Sequence, residues 1–258
     1  MNTIKEIFLY RELIYSLVRK DLRGRYLGTS LGFFWTFLNP LLQLLVYNLI
    51  FSIILRNNIE KYYLFLFIGL IPWMFIASCI SSGSMVVINE GALVTKTYFP
   101  REVLPISFVT SGFINMLLSF LVVFVVVFAS GVQVNIIAWL YLPVIMLVQY
   151  IFALGITMIT SALTVYFRDL QHILNILQMA WMFLTPIMYS HTIVPENLLP
   201  IFYLNPMTPI IVAYRDILYY ARSPDLETLA RAVFLGLLFV IFGFLIFGRL
   251  KRGFAEEI

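Results

Sequence analysis

The run 105–130 reads PISFVTSGFINMLLSFLVVFVVVFAS and holds no charged residue. Coiled as an α-helix it would reach about 39 Å, more than the roughly 30 Å of a bilayer's hydrocarbon core. Similar runs recur at about 31–55, 62–88, 136–165, 171–189 and 228–249. A soluble domain cannot bury six such segments. With 62% hydrophobic and 12% charged residues, the chain lies far from the roughly 45–50% and 25% of soluble domains. The reading is an all-α polytopic membrane protein with six transmembrane helices. The fifth run is the most diluted by polar residues, and SGVQVN at 130–135 is short enough to make the third and fourth an antiparallel hairpin.

Charge sets the expected orientation. With the N-terminus in the cytoplasm, only Arg56, Lys61, Arg215, Arg222 and Arg231 of the 17 basic residues fall outside. An even number of spans returns the C-terminus to the cytoplasm. The net charge of +4 follows from this asymmetry and does not imply nucleic-acid binding. The charged opening segment lacks the early apolar core of a secretory signal. Residues 1–30 form a unit of their own, separate from a single membrane domain at 31–258. In this unit Ile4, Ile7, Tyr10, Ile14, Leu17 and Val18 share one helical face. That pattern fits an amphipathic helix on the membrane surface, facing anionic lipid heads, and equally one packed on a partner. Between the fifth and sixth spans, residues 190–226 are external and rich in proline. They suggest re-entrant or gate helices at the outer edge. Cys79 is the one cysteine, and His172 and His191 stand apart, so no metal site is expected.

No Asp, Glu, Lys or Arg lies in the middle of any predicted span, which argues against ion-coupled transport. Two polar stripes take its place. Thr36, Asn39, Gln43 and Tyr47 share a face of the first span; Asn175, Gln178 and Thr185, with Trp181 beside them, mark the fifth. Amides facing lipid would be left unpaired, so these stripes either line a wet path for sugars or tie helices together. Ser107, Ser111, Asn115 and Ser119, and Thr157, Ser161 and Thr164, read as packing seams. Phe33, Phe34 and Phe37 crowd the start of the first span. GALVTKT at 91–97 has Thr95 where a phosphate-binding loop needs glycine before its lysine. The chain has no complete loop of that kind, so any ATP must be used by a partner. The expected handles for one are the N-terminal helix, TKTYFPREVLP at 95–105, YFRDLQ at 166–171 and the C-terminal tail.

Five motifs occur in order: DLRGRYLGTSLGFFWTFLNPLL at 21–42, YFPREVLP at 98–105, YFRDL at 166–170, TPIMY at 185–189 and NPMTPIIVAYRDIL at 205–218. Together they resemble the ABC-2-type permeases of polysaccharide export, which serve O-antigen, capsule and teichoic acid chains. The resemblance implies that two copies form a channel and two ATPase subunits dock below it. ATP and magnesium would bind in those subunits, and no cofactor in this chain. The cargo would be a lipid-linked glycan crossing the cytoplasmic membrane. Asn89, Glu90, Lys96, Tyr98, Phe99 and Arg101 would couple to the ATPase. Phe33, Phe34, Phe37 and Trp181 would grip sugars, and Arg23, Arg25 and Tyr26 would hold a carrier's phosphate. Asn205, Pro206, Tyr214, Arg215 and Asp216 would belong to an external gate. Two alternatives stay open: an exporter of small hydrophobic compounds, and a membrane enzyme acting on lipid-linked sugars.

Overall fold

The computed structural model describes residues 3–25, 28–54, 59–190 and 193–258. Tyr26 and Arg56 lie outside the described residues. Among the described residues there are helices and no strands. The chain opens with α1 (Thr3–Leu9) and α2 (Arg11–Gly24). Then comes α3 (Trp35–Asn48), prolonged by a π-helical stretch over Leu49–Ile54. The central helix α4 (Tyr62–Ser81) is followed by short α5 (Val86–Asn89) and α6 (Gly91–Lys96). Long α7 (Val103–Ala129), short α8 (Ile136–Trp139) and long α9 (Leu142–Tyr166) come next. After α10 (Leu170–Leu184) lie α11 (Leu199–Leu204), α12 (Met207–Leu218), α13 (Leu226–Leu250) and α14 (Phe254–Glu257).

Among the described residues, five helical stretches are long and apolar enough to cross a membrane: Gly32–Phe51, Tyr62–Lys96, Val103–Ala129, Ile136–Tyr166 and Leu226–Glu257. They match five of the six expected spans. The fifth expected span is shorter than anticipated. Helix α10 has 15 residues, about 22 Å of helix, and stops at Thr185, which is extended at φ −98°, ψ 138°. Pro186 explains the stop, because a proline pushes the residue before it out of the helical region.

Helix α4 lies at the centre, packed by α3, α7, α9, α10 and α12, and buried on most sides. The most extensive pairing joins α9 to α13, and two glycines allow it. A Cβ on Gly155 would sit 2.4 Å from the carbonyl carbon of Phe239, and one on Gly243 would sit 2.7 Å from the Gly155 carbonyl oxygen. Small residues let membrane helices approach to backbone contact. Ser107, Ser111 and Ser119 of α7 and Thr157, Ser161 and Thr164 of α9 are buried as expected of seams, but Asn115 of the same α7 stripe is only half-buried and lines a cavity. Ser107 and Thr164 donate to carbonyls of their own helices, at 2.9 Å and 2.7 Å, which removes the cost of an unpaired hydroxyl. Helix α2 lies along α7, so one face of the amphipathic segment packs on the bundle itself.

The region between the last two long helices corrects the sequence reading. Every residue of α12 is buried. Tyr214, Arg215 and Asp216, and Pro206 just before the helix, lie in the interior of the subunit, whereas Arg215 was expected on the outer side. Carbonyls and rings from distant segments supply the solvation that water would have given.

Candidate functional site

A cavity of about 470 Å³ opens where the end of α2 and the following segment meet α3, α4 and α7. Its polar wall includes Arg25, Thr36, Asn39, Ser78 and Asn115, with Trp35 and Phe75 as aromatic surfaces. Pro40 shapes α3 here. It has no N–H to give the carbonyl of Thr36 one turn earlier, and the Ser119 hydroxyl donates to that carbonyl instead, at 3.3 Å. The Thr36 side-chain oxygen is buried and has no protein partner. Arg25 is anchored by α2 and α7: its Nε donates to Asp21 Oδ2 of α2 at 2.9 Å, Nη2 donates to Ser111 Oγ of α7 at 3.5 Å, and its guanidinium lies 5.7 Å from the Phe108 ring. The Ser111 hydroxyl donates to the same carboxylate. Amides, a guanidinium and rings on one wall can bond hydroxyls and stack on apolar sugar faces.

Three candidates thus meet in one cavity: Arg25, Thr36 and Asn39. Gln43 and Tyr47 continue along α3, partly buried. Phe33 and Phe34 are exposed and pack edge-on around Phe37, at centroid distances of 5.5 Å and 6.4 Å. Arg23 lines a separate groove. On α10, Asn175 is exposed, and the Gln178 Oε1 is buried without a protein partner.

Trp181 and Thr185 serve an internal network. The indole N–H of Trp181 donates to Asn205 Oδ1 at 2.8 Å, and the Asn205 amide donates to Thr185 Oγ1 at 3.0 Å. Asn205 Oδ1 also accepts from the Met207 N–H at 3.0 Å, capping α12. The Trp181 ring is edge-on to Trp73 and Phe152. Tying α10 to α12 in this way fixes the ring that the sequence offered as a sugar platform.

Among the described residues, Arg215 is the largest of the fully buried side chains. Its Nη2 donates to the Ile187 carbonyl at 2.6 Å, its Nη1 donates to those of Pro186 and Tyr189, and its Nε to that of Phe65. The guanidinium carbon sits 3.4 Å from the Phe65 ring centroid. Helix α12 lies outside the five spans, and burial pulls the Arg215 pKa down to about 9. The group therefore keeps its proton at neutral pH. Asp216 beside it is buried and pairs with exposed Arg222 at 2.7 Å. Deeper in, the Tyr214 hydroxyl donates to Gln149 Oε1 at 2.8 Å, and Gln149 Nε2 donates to the Pro72 carbonyl at 2.8 Å. Sequence reasoning missed Gln149. A lone amide inside the apolar run 142–166 was the available signal.

At the opposite end from α12, the four expected handles converge. Lys20 of α2 pairs with Glu90 at 2.6 Å. The Tyr10 hydroxyl donates to the Tyr98 carbonyl at 3.4 Å. Arg101 donates to the Lys251 carbonyl, and Lys251 Nζ pairs with buried Glu102 at 2.5 Å. The Tyr166 hydroxyl donates to the Leu250 carbonyl at 2.8 Å. Phe254 of the tail is buried against Tyr166 and Phe247. Asn89, Lys96 and Tyr98 stay exposed, Tyr98 at 93%, while Phe99 is buried as an anchor. The result is a base whose segments are tied to one another, with a small polar and aromatic face left open. The pairing of Glu102 with Lys251 was not expected from sequence, because only the fold brings the two together.

Comparison with known proteins agrees across nearly the whole chain. The family profile described as ABC-2 type transporter matches residues 12–219. The chain is 38% identical over 262 residues to the O-antigen export system permease protein RfbA of Myxococcus xanthus, covering 100% of both chains. It is 33% identical over 246 residues to a protein of the same name from Klebsiella pneumoniae, covering 95% of this chain and 94% of the other.

Proposed function

The chain belongs to the ABC-2 type transporter family, and we propose that it is the channel-forming permease subunit of an ATP-driven exporter of lipid-linked polysaccharide, most closely of the O-antigen type. The observation that carries this reading is the 38% identity, over full length, to a protein named as an O-antigen export system permease. Two copies form the channel in the cytoplasmic (inner) membrane, with both termini in the cytoplasm. Two ATPase subunits, which bind the ATP and magnesium, dock beneath them. The convergence of residues 10–25, 89–102, 166–168 and 250–258 at one end supports a single docking base there. A push on the exposed stretch around Tyr98 would reach α2, α7 and α13 together, because these contacts tie the stretch to all three.

The amides and rings of the cavity at Thr36 and Asn39 suit a sugar chain, and Arg25 at its rim suits the phosphate of a lipid carrier. Helix α10 makes the sixth crossing together with the segment that follows it. Helices α11 and α12 form the outer gate as re-entrant pieces, α12 being the fixed part held by Arg215.

The test is reconstitution. The permease is co-purified with its ATPase subunit, placed in vesicles and supplied with lipid-linked glycan and ATP. Glycan should cross only with both subunits and ATP present, and glycan should raise ATP hydrolysis more than small lipophilic compounds do. Uphill transport by the permease alone, under a proton or sodium gradient, would refute the proposal.

A further inference from the structure

Helices α2 and α7 enclose a groove of about 580 Å³ that is separate from the Arg25 cavity. Two ridges form its apolar floor. On α2 they are Ile14, Val18 and Leu22; on α7, Ile114 and Leu118. Each ridge repeats at four-residue steps, so each presents a continuous strip along its helix. From Ile14 to Leu22 the strip runs about 12 Å, the reach of most of an acyl chain's first ten carbons.

The rim is charged. Arg11, Arg19 and Arg23 line the same groove, and with Tyr15 they occupy one ridge at four-residue spacing. Arg19 and Arg23 are exposed and form no ion pair with a carboxylate among the described residues. Arg11 has only a 3.9 Å approach to Glu12. Arg19 and Arg23, like charges four apart on one helix, repel, and neither is paired with a carboxylate among the described residues as Arg25 is. An apolar trough beneath three arginines calls for a ligand with a fatty chain and an anionic head at one end.

We propose that this groove is a binding site for an anionic phospholipid of the surrounding bilayer, with one acyl chain between α2 and α7 and the phosphate under Arg11, Arg19 and Arg23. Charge complementarity selects the occupant. A zwitterionic phospholipid brings a cation that offsets its phosphate and so leaves the positive rim uncompensated, and a peptide helix would need acidic side chains at the same rim. Such a lipid would pin α2 to α7, next to the pair formed by Lys20 and Glu90. The inference needs only the membrane placement of the chain and is independent of its cargo.

Full-length permease in detergent is titrated with dioleoyl phosphatidylglycerol or dioleoyl phosphatidylcholine, and bound lipid is counted by native mass spectrometry. The wild type should retain phosphatidylglycerol at least about tenfold more tightly than phosphatidylcholine. Arg19→Gln with Arg23→Gln should weaken phosphatidylglycerol about 30-fold, roughly fivefold per arginine at an anionic lipid surface, and leave phosphatidylcholine unchanged. Both side chains are exposed, so this variant keeps its fold. Ile114→Phe, which narrows the floor, should weaken both lipids; if it fails to fold, the arginine pair still decides. Equal binding of the two lipids by the wild type would overturn the proposal, as would full phosphatidylglycerol affinity in the arginine variant. Tighter retention of a polyprenyl phosphate than of phosphatidylglycerol would also overturn it by assigning the groove to a carrier lipid. Complete competition by inorganic phosphate would do so by showing that the trough adds nothing.

Discussion

Replacing Arg215 with methionine should destabilise the protein more than most single changes in the chain. Methionine roughly preserves the packed volume but removes the donors to Pro186 and Ile187, the two closest acceptors. Each buried carbonyl left without a donor costs about 1–3 kcal/mol, so the pair costs about 2–6 kcal/mol. Losing the cation held 3.4 Å from the Phe65 ring centroid adds about 2 kcal/mol for a desolvated contact. Removing the need to bury a charge offsets part of this sum. The net expectation is about 3 kcal/mol, at the low end of values for breaking a buried charged cluster. For a chain of this size that corresponds to a fall in melting midpoint of about 6–12 °C.

The assay is built into the protein. Cys79 is the single cysteine and is fully buried in α4, so a thiol-reactive fluorophore reports unfolding and nothing else. Arg215→Lys should fall between, because an ammonium keeps the charge but cannot reach carbonyls fanned around a planar guanidinium. If Arg215→Met melts within about 2 °C of the wild type, the staple is not holding the 186–189 segment and this account of α12 fails.

Gly155→Leu should lower the same midpoint by at least the equivalent of about 1–3 kcal/mol, since even its Cβ would meet the Phe239 backbone at 2.4 Å; an unchanged midpoint would mean that α9 and α13 are not in backbone contact. Lys251→Met leaves the buried Glu102 carboxylate without its ammonium and should cost about 3 kcal/mol in the melt. Lys20→Met, by contrast, should cost less than about 1 kcal/mol because the Lys20 side of its pair with Glu90 stands in solvent. Gln149→Leu should cost about 1–3 kcal/mol by leaving the Tyr214 hydroxyl without its buried acceptor. Tyr98→Ala should leave the melt unchanged, the side chain being exposed, but weaken co-purification of the ATPase subunit.

Much of the architecture was legible before any fold was known. A bilayer of set thickness demands helices of set length, so 105–130 and 136–165 could be read almost to their ends against Val103–Ala129 and Ile136–Tyr166. The serine and threonine seams were legible for a similar reason: small polar residues at helical spacing are most useful where helices touch. Asn39 and Thr36 could be named as candidates from their chemistry, because a polar side chain in an apolar run must face something other than lipid, whereas Arg25 came from the family resemblance. Local rules also explain the failure of 171–189 to run as one helix, since Pro186 forbids it.

What a side chain faces is another matter, because that depends on segments far away in the chain. Nothing near Arg215 in sequence foretells its burial; the acceptors lie at 65 and at 186–189. Trp181 looks like a platform until Asn205 arrives to hold its N–H. Arg23 and Arg25 look like one cluster, yet α2 turns them into different hollows, one against α7 beside Ile114 and one against α3 beside Asn39. Helix length and amphipathic pattern are local properties, set by backbone geometry and the bilayer. The solvation of a buried charge is a sum over neighbours, and only the packed bundle supplies them.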